Sequence, residues 1–242
     1  MIGLKCYLLS PKKLFFLFIF VFVLILRSFS QHCVPYFPLK RYAKIEYQHF
    51  DANNRLILSE SLKVIQKEED SSGEFVKVER ESFNSKGTSL GTNYFLSGCQ
   101  NGAFFIQMKS RLDMKALNSF KNSFKNMNIN LSEDKIIFPD TFYPGERLND
   151  ATLKIKISSK TITSLRLSIK VYNRKVIGFD KIEVSSGTYK CVKITSDIQM
   201  MVPVSIILHT VEWYAPNIGL VKSNVYTQKN TLSETIMLTG LK

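Results

Sequence analysis

An alternation of apolar and polar side chains with a period of two most constrains what this chain can fold into. It is clearest over residues 161–172, where alternate positions hold Thr, Leu, Ile and Val while the positions between them hold Ser, Arg and Lys. A strand of this kind buries one face and wets the other, as antiparallel sheets require. Weaker alternations, separated by turn-forming groups of Asn, Asp, Ser and Gly, occupy residues 42–50, 56–67, 75–83, 181–184 and 189–198. The chain is therefore predicted to be mainly β, with antiparallel strands.

One segment breaks this period. From Leu112 to Met127, apolar residues recur every three or four positions, with Phe120 and Phe124 in the middle of the stripe. This spacing predicts an amphipathic helix of about four turns, with Asp113 as its N-cap. We expect the helix to pack its apolar stripe on the sheet.

The N-terminus carries the parts of a secretory signal peptide. A pair of lysines precedes the thirteen apolar residues 14–26, and small serines follow before Gln31. A transmembrane helix needs about 20 apolar residues, so this run is short for one. We predict a signal peptide over residues 1–30 and export of the chain, with a retained N-terminal anchor as the alternative.

Residues 31–242 are expected to form a single antiparallel β domain, with a division into two halves near 128–150 as the alternative. The net charge is +13, and it becomes +9 when the four basic residues of segment 1–30 are removed. Such a charge attracts anionic partners in general. Lys154 and Lys156, however, alternate with apolar residues and so mark the wetted side of a strand. No nucleic-acid partner is predicted, and the mature chain is not expected to be an integral membrane protein.

Three cysteines remain outside the predicted signal peptide, at positions 33, 99 and 191. In an oxidising compartment, an odd number indicates one disulfide and one free thiol. Cys33 and Cys99 stand at the edges of predicted strands near turns, whereas Cys191 lies in the middle of one. We predict a disulfide between Cys33 and Cys99, and a buried free thiol at Cys191.

The sequence lacks the common motifs of catalytic and cofactor sites. It has no HExxH, GxSxG or GxGxxG motif and no phosphate-binding loop. His49 and His209 lie on different predicted strands, without a second His or Cys at ligand spacing. We therefore predict no catalytic, cofactor-binding or metal-binding residue. A hydrolase is kept as an alternative, in which distant strands would bring the reactive groups together.

The only tryptophan lies in EWYAPNIGLVKSNVY, residues 212–226. Its flanking alternations, with residues 215–219 between them, predict a β-hairpin. Trp213 and Tyr214 stand at the shoulder of this hairpin, on opposite faces, and Ile218 lies in its turn. Aromatic residues in such a place give a large contact area at low entropic cost. These three residues are the candidate binding lip, and the alternative is that Trp213 closes the end of the core.

Five blocks span nearly the whole mature chain. They are HCVPYFPLKRYAKIEYQHFD (32–51), SGCQNGAFFIQMKS (97–110), IFPDTFYPGERLNDATLKI (137–155), YNRKVIGFDKIEVSSGTYKCVKI (172–194) and EWYAPNIGLVKSNVY (212–226). Together they resemble the TapB-like family of exported Gram-negative envelope proteins, related to a domain family of unknown function. The resemblance implies an antiparallel sheet curved into an open half-barrel, similar to lipoprotein-carrier folds, with a helix on its concave face. It implies no catalytic residue, and the family's name implies a tetratricopeptide-repeat protein of the periplasm as partner.

The sequence therefore predicts an exported protein, in the periplasm or associated with the outer membrane or cell surface, that acts by binding. The leading hypothesis is a non-enzymatic interaction or assembly module that holds another envelope protein by a sheet edge or an apolar lip. The alternative is a carrier of lipid or another hydrophobic ligand, with a cavity lined by Phe120, Phe124, Leu165 and Leu167. A tightly filled interior would count against the carrier.

Overall fold

The computed structural model of the protein describes residues 33–112, 128–158, 165–202 and 204–242, and residues 33–242 form one compact unit. Its strands are β1 (Lys44–Asp51), β2 (Leu56–Asp70), β3 (Gly73–Asn84), β4 (Ser89–Gln100), β5 (Ala103–Gln107), β6 (Asn128–Glu133), β7 (Lys135–Phe138), β8 (Ala151–Ser158), β9 (Leu165–Val184), β10 (Gly187–Val202), β11 (Val204–Ala215), β12 (Gly219–Thr227) and β13 (Leu232–Leu241). A 3-10 helix, Met108–Arg111, follows β5.

The described residues contain no α-helix. The predicted amphipathic helix falls almost entirely on residues 113–127, which lie outside the described residues, so it stays a prediction. The predicted signal peptide over 1–30 lies outside them as well. In the described part of the chain, no helix is long and apolar enough to cross a membrane.

All thirteen strands belong to one antiparallel sheet, in the order β6-β8-β9-β10-β11-β12-β13-β1-β2-β3-β4-β5-β7. The two edge strands, β6 and β7, are consecutive in the chain and are separated only by Asp134. The Asp134 N–H donates to the Thr152 carbonyl on the β8 side at 2.8 Å, and its own carbonyl accepts from Met108, just after β5, at 3.3 Å. One extended segment therefore pairs first with β8 and then with β5.

The sheet consequently curves into a nearly closed barrel. The predicted class, a mainly β protein with a curved antiparallel sheet, is confirmed. Closure goes further than the predicted half-barrel because a single segment serves both edges. A sheet that meets itself in this way exposes few unpaired backbone groups.

Aromatic rings fill one end of the barrel. Tyr36, ahead of β1, stacks on Phe138 with ring centroids 5.6 Å apart and meets Phe142 edge-on at 5.3 Å. Phe138 in turn meets Tyr214 edge-on at 4.9 Å. Offset and edge-on pairs of this kind contribute about 0.5–1.5 kcal/mol beyond their burial. The ring cluster therefore fixes the segment before β1 against the ends of β7 and β11.

A disulfide joins Cys33 to Cys99 beside this end, across a sequence separation of 66 residues. This is the pair that the sequence favoured. A cross-link over such a distance stabilises the fold by about 4 kcal/mol in the loop-entropy account, mainly by restricting the unfolded chain. Cys191, the other cysteine in the described part of the chain, is free and buried.

The β9–β10 hairpin bends back over the barrel. Its register shifts where Lys193 and Ile194 of β10 face Gly178 and Val176 of β9. β9 also contacts β12 and β13, although β10 and β11 lie between them in the sheet. Ser186 Oγ also donates to the Leu238 carbonyl of β13 at 3.2 Å. The folded hairpin end, residues 178–192, therefore covers part of the outer face.

Candidate functional site

The interior of the barrel carries charged groups that are paired with one another. Arg111, at the end of the 3-10 helix, donates to the Glu212 carboxylate at 2.7 Å and to the Tyr214 hydroxyl at 3.0 Å. Glu212 and Tyr214 are two residues apart on β11, so both side chains point inward. Burial raises the pKa of the Tyr214 hydroxyl, which keeps it neutral and able to accept from Arg111. These groups hold the 3-10 helix in place, and their charges are already paired in these contacts.

A second buried cluster surrounds His49. Its Nδ1 lies 2.5 Å from Glu234 Oε1 and its Nε2 lies 3.5 Å from Glu60 Oε2. Arg80 Nε lies 3.4 Å from Glu60 Oε1, and the same guanidinium donates to carbonyls at the end of the 3-10 helix. Burial alone would lower the pKa of His49, but the hydrogen bonds and charges of Glu234 and Glu60 raise it to about 9. His49 is therefore a buried cation that neutralises the carboxylates of Glu60 and Glu234.

This cluster is the nearest counterpart of the hydrolase alternative, because Glu60 and Glu234 converge on one histidine. Both carboxylates, however, are already neutralised by His49 and Arg80. Among the described residues, no three His, Cys, Asp or Glu side chains are placed to hold a metal ion. His209 lies elsewhere, with its Nδ1 2.5 Å from Asp197 Oδ1. The arrangement is that of a buried ionic network that positions the 3-10 helix.

Trp213 stands on the outer face of β11. The ammonium groups of Lys193 and Lys222 lie 5.3 and 5.6 Å from its ring centroid, within cation–π range. The indole N–H donates to Asp180 Oδ2 at 2.8 Å. This hydrogen bond, together with one from Lys193, lowers the pKa of the Asp180 carboxyl. Asp180 belongs to the folded hairpin end, which therefore holds Trp213 from outside.

The picture of an exposed lip needs correction. Trp213 is only 8% exposed and Tyr214 only 4%, and Ile218 packs against the core. Trp213 is covered because the folded hairpin end lies over it, and Tyr214 is covered because it joins the inner ring cluster. The two aromatic residues do lie on opposite faces, as their adjacent positions require.

Of the four residues predicted to line a cavity, the structure describes two. Phe120 and Phe124 lie outside the described residues. Leu165 and Leu167 lie on β9, on the side of the sheet that packs against the core. Leu167 pairs with Ile155 of β8, and both side chains are buried. The described part of this wall is therefore packed.

A groove lies on the outer face instead, over β2, β3, β4, β5 and β7. Phe75 and Phe105 flank Gly98 in the sheet register, and their ring centroids are 5.9 Å apart. A Cβ at Gly98 would lie 2.2 Å from the Glu74 carbonyl oxygen, so no side chain fits between the rings. The groove has a volume of about 260 Å³, and its lining is Gln66, Glu68, Phe75, Val76, Lys77, Leu96, Phe105 and Lys135. We call it the outer-face groove.

The rim of the outer-face groove is charged. Lys135 Nζ lies 4.0 Å from the Phe105 ring centroid and donates to Gln100 Oε1 at 2.6 Å. Lys77 Nζ lies 5.5 Å from the Tyr94 ring centroid. Glu68 adds one carboxylate, which accepts a hydrogen bond from Gln66 at 2.6 Å. The groove thus offers an apolar floor with two ammonium groups and one carboxylate around it.

None of these groove residues was a predicted site residue. Each strand shows only its own alternation, and the groove forms because the register places Phe75, Gly98 and Phe105 in one row across three strands. The one local signal is that apolar residues occupy positions of β3, β4 and β5 that face outward. The clearest of them is Leu96, which is exposed.

Two solved structures are similar to this chain over most of its length. A Bacteroides fragilis protein, named as exported and as having a YmcC-like fold, matches with a TM-score of 0.69 and 24% identity, over 87% of this chain and 100% of its own. A Parabacteroides distasonis protein, named as a lipoprotein, matches with a TM-score of 0.71 and 26% identity, over 87% of this chain and 99% of its own.

Among curated proteins, none matches this sequence. The family model described as DUF3108-like matches residues 41–238, which span every strand from β1 to most of β13. The TapB-like resemblance is a finer statement than this match carries. The chain belongs to the DUF3108-like family.

Proposed function

We propose that the protein is exported to the cell envelope and acts there, without catalysis, by binding another envelope protein through the outer-face groove. The predicted signal peptide over residues 1–30 supports export. The names of the two solved relatives, one as exported and one as a lipoprotein, point the same way. We place the protein in the periplasm or at the outer membrane.

The observation that carries the binding role is an apolar floor that neighbouring strands share on the outer face. Outward positions of β8, by contrast, hold Lys154 and Lys156, both exposed. In the outer-face groove they hold Phe75, Leu96 and Phe105. An apolar centre with a polar rim is the anatomy of a protein–protein contact, and a pocket that accepts one large side chain is where binding energy concentrates.

The charged residues of the rim limit the kinds of partner surface that the groove can bind. A volume of about 260 Å³ suits one aromatic or branched aliphatic side chain of the partner. Lys77 and Lys135 favour an acidic residue beside that anchor, whereas Glu68 disfavours one on its own side. We therefore expect a protein surface that presents an apolar side chain next to a carboxylate. A tetratricopeptide-repeat protein is the partner class that the TapB-like resemblance implies.

The test replaces Leu96 with a photo-crosslinking phenylalanine analogue and irradiates cells that export the protein. A protein adduct of defined mass is expected at Leu96 and not at Ile177, an exposed apolar residue away from the groove. Reversing the rim charges, with Lys77→Glu and Lys135→Glu, should remove that adduct while the circular dichroism stays unchanged. An adduct that forms equally at Ile177, or that survives charge reversal, would count against the groove.

The carrier remains the second hypothesis, because the interior wall that includes Leu165 and Leu167 is apolar. It needs a cavity, and the described part of that wall is packed. Native mass spectrometry of gently purified protein separates the two functions. A bound small molecule that is lost on organic extraction would favour the carrier, and a ligand-free mass with a co-purifying protein would favour the assembly module.

A further inference from the structure

We propose that the protein also docks on an anionic lipid surface, through the apolar tip of the β10–β11 hairpin and a basic strip beside it. The apolar tip comprises residues 198–202 of β10 and 204–208 of β11. The basic strip comprises Lys154 and Lys156 of β8 with Arg166 and Lys170 of β9. This surface is separate from the outer-face groove and is independent of the proposed function.

The apolar tip has the composition of a segment that leaves water. Residues 198–208 read IQMMVPVSIIL and include no charged side chain. Three of its side chains are nevertheless well exposed, with Val204 at 70%, Ile206 at 48% and Met201 at 44%. Exposed apolar residues that are clustered, unlike scattered ones, mark a contact surface.

The exposed side chains lie on both faces of the hairpin. Met201 pairs with Ser205, whereas Val204 pairs with Val202, so Val204 and Ile206 point away from the face that carries Met201. A protein partner that lay against the hairpin would cover one of its faces. An apolar medium that surrounds the hairpin would cover both, and the outer part of a bilayer is such a medium.

The basic strip stands next to the tip on the outer face. Lys156 pairs with Arg166 across β8 and β9, and Lys154 pairs with Ser168, which pairs with Met201 of the tip. Lys170 forms an ion pair with Asp150 at 3.1 Å. Within the described ranges, no carboxylate pairs with Lys154, Lys156 or Arg166. Their charge is therefore available to an external anion.

Apolar insertion and cationic attraction together are the two signals that hold a protein reversibly on a membrane surface. Each basic residue near an anionic surface increases binding by about fivefold, and long Lys and Arg side chains can reach headgroups while their stems stay against apolar groups. The absence of charge in the tip and the unpaired charge of the strip thus complement the two layers of a lipid surface, acyl chains and phosphates.

Co-sedimentation with vesicles tests the proposal. Vesicles of phosphatidylcholine with about one quarter phosphatidylglycerol should bind the protein, and vesicles of phosphatidylcholine alone should bind it much more weakly. The double variant Val204→Ser, Ile206→Ser should lose roughly tenfold or more in binding. The double variant Lys156→Gln, Arg166→Gln should lose about 25-fold, and only on the anionic vesicles.

Matched controls come from the folded hairpin end. Lys181 and Lys190 are a cross-strand pair of exposed basic residues there, so Lys181→Gln, Lys190→Gln removes the same charge at a different place. Phe179, which is exposed as well, gives the apolar control Phe179→Ser. Both controls should bind anionic vesicles as the parent does. If they weaken binding as much as the tip and strip variants, the proposal is overturned.

A fluorophore shows whether the tip itself enters the lipid. In a Val204→Cys variant, a thiol-reactive nitrobenzoxadiazole should label only the new cysteine, because Cys191 is buried and its pKa is raised to about 12. Emission should shift to the blue on anionic vesicles and return in high salt. A blue shift that appears without vesicles as protein concentration rises would assign the tip to contact between copies of the chain and would overturn the lipid proposal. Leu96→Glu, in the outer-face groove, should leave the shift unchanged.

Discussion

Several apolar side chains near the turn of the β9–β10 hairpin are buried, whereas several near the turn of the β10–β11 hairpin are exposed. In the β9–β10 hairpin, Ile182 and Tyr189 pack against the core, and Cys191 is almost fully buried. In the β10–β11 hairpin, Val204 and Ile206 stay in solvent. Both hairpins are rich in apolar residues, so composition alone does not explain the difference.

The backbone explains it. The β9–β10 pairing has register shifts near Gly178 and again between Thr195 and Asp197, and irregularities of this kind bend and twist a strand pair. The β10–β11 pairing runs without a shift from Val192 to Val204. One hairpin can therefore fold back over the barrel. The other keeps a regular ladder up to its turn, with residues 198–201 paired to β9 and residues 204–207 lying beyond the last pair of β11 with β12. Apolar residues of the β9–β10 hairpin are buried because that hairpin bends over the barrel. Apolar residues of the tip are exposed because the β10–β11 hairpin does not bend.

Removing the ring under the folded hairpin end should have the largest effect on this contrast. Trp213→Ala takes away a buried indole, its hydrogen bond to Asp180 and two cation–π contacts. We expect a loss of about 3–5 kcal/mol in the free energy of unfolding, measured by urea denaturation followed by far-ultraviolet circular dichroism. Amides of residues 181–190 should also exchange with solvent faster, whereas those of the apolar tip should not.

Trp213→Phe is the matched control, because it keeps a ring on the outer face and loses only the indole N–H and some volume. It should cost less than the alanine variant, by about 2 kcal/mol or more. Equal costs for the two variants would mean that Asp180, and not the ring, holds the folded hairpin end.

The His49 cluster gives a reference that should affect both hairpins equally, because it lies inside the barrel. The folded pKa of His49 is about 9, against about 6.5 in an unfolded chain. Protonation therefore stabilises the fold fully below about pH 6.5, and this stabilisation is lost as pH rises through 9. The expected loss is about 3 kcal/mol, measured as the change in unfolding free energy between the two ends of that window.

His49→Gln should be less stable than the parent at low pH and should lose this pH dependence. His209→Gln, which alters a histidine on the outer face, should keep it. If amide hydrogen exchange at alkaline pH becomes faster in the folded hairpin end but not in the tip, the stability of the two hairpins does not depend equally on the barrel interior.

A smaller effect is expected from the hydrogen bond that fastens the folded hairpin end. Asp180→Ala removes the acceptor of Trp213 Nε1 and a partner of Lys193 at 3.4 Å. The bond is partly exposed, so we expect a loss of about 1 kcal/mol, together with a change in the fluorescence of Trp213. Asp150→Ala breaks a surface ion pair with Lys170 and should cost less than about 0.5 kcal/mol. A similar cost for both would mean that the indole hydrogen bond adds nothing beyond a surface ion pair.

The sequence predicts features that depend on neighbouring residues better than features that depend on contacts between distant segments. The alternation over residues 161–172 predicts that β9 has a wet and a buried face, and the turn at 215–219 predicts the β11–β12 hairpin. Both are local patterns. The closure of the barrel at Asp134 is not local, because it depends on which strands the two halves of one segment meet.

The candidate sites follow the same rule. Period two places Trp213 and Tyr214 on opposite faces, but it does not reveal that a hairpin from elsewhere in the sheet covers the outer one. The outer-face groove needs the register of β3, β4 and β5 before Phe75 and Phe105 meet across Gly98. The basic strip is visible as alternation at Lys154 and Lys156, yet its place beside an apolar tip requires the fold. Local pattern fixes the face of a residue, and tertiary pairing decides what that face meets.

The most direct comparison of the two hairpins uses the variant with the smallest expected effect on stability. Val204→Ser, Ile206→Ser changes two exposed residues of the tip and should alter the unfolding free energy by no more than about 0.5 kcal/mol. Ile182→Ser makes the same kind of change in the folded hairpin end and should cost about 1–2 kcal/mol, because that side chain is partly buried against the core. Both losses in unfolding free energy are measured from urea unfolding curves, compared at the same dependence of the free energy on urea concentration. Equal costs would mean that the tip is packed against the protein in solution, and an apolar segment that is already packed has no exposed surface to give to a lipid.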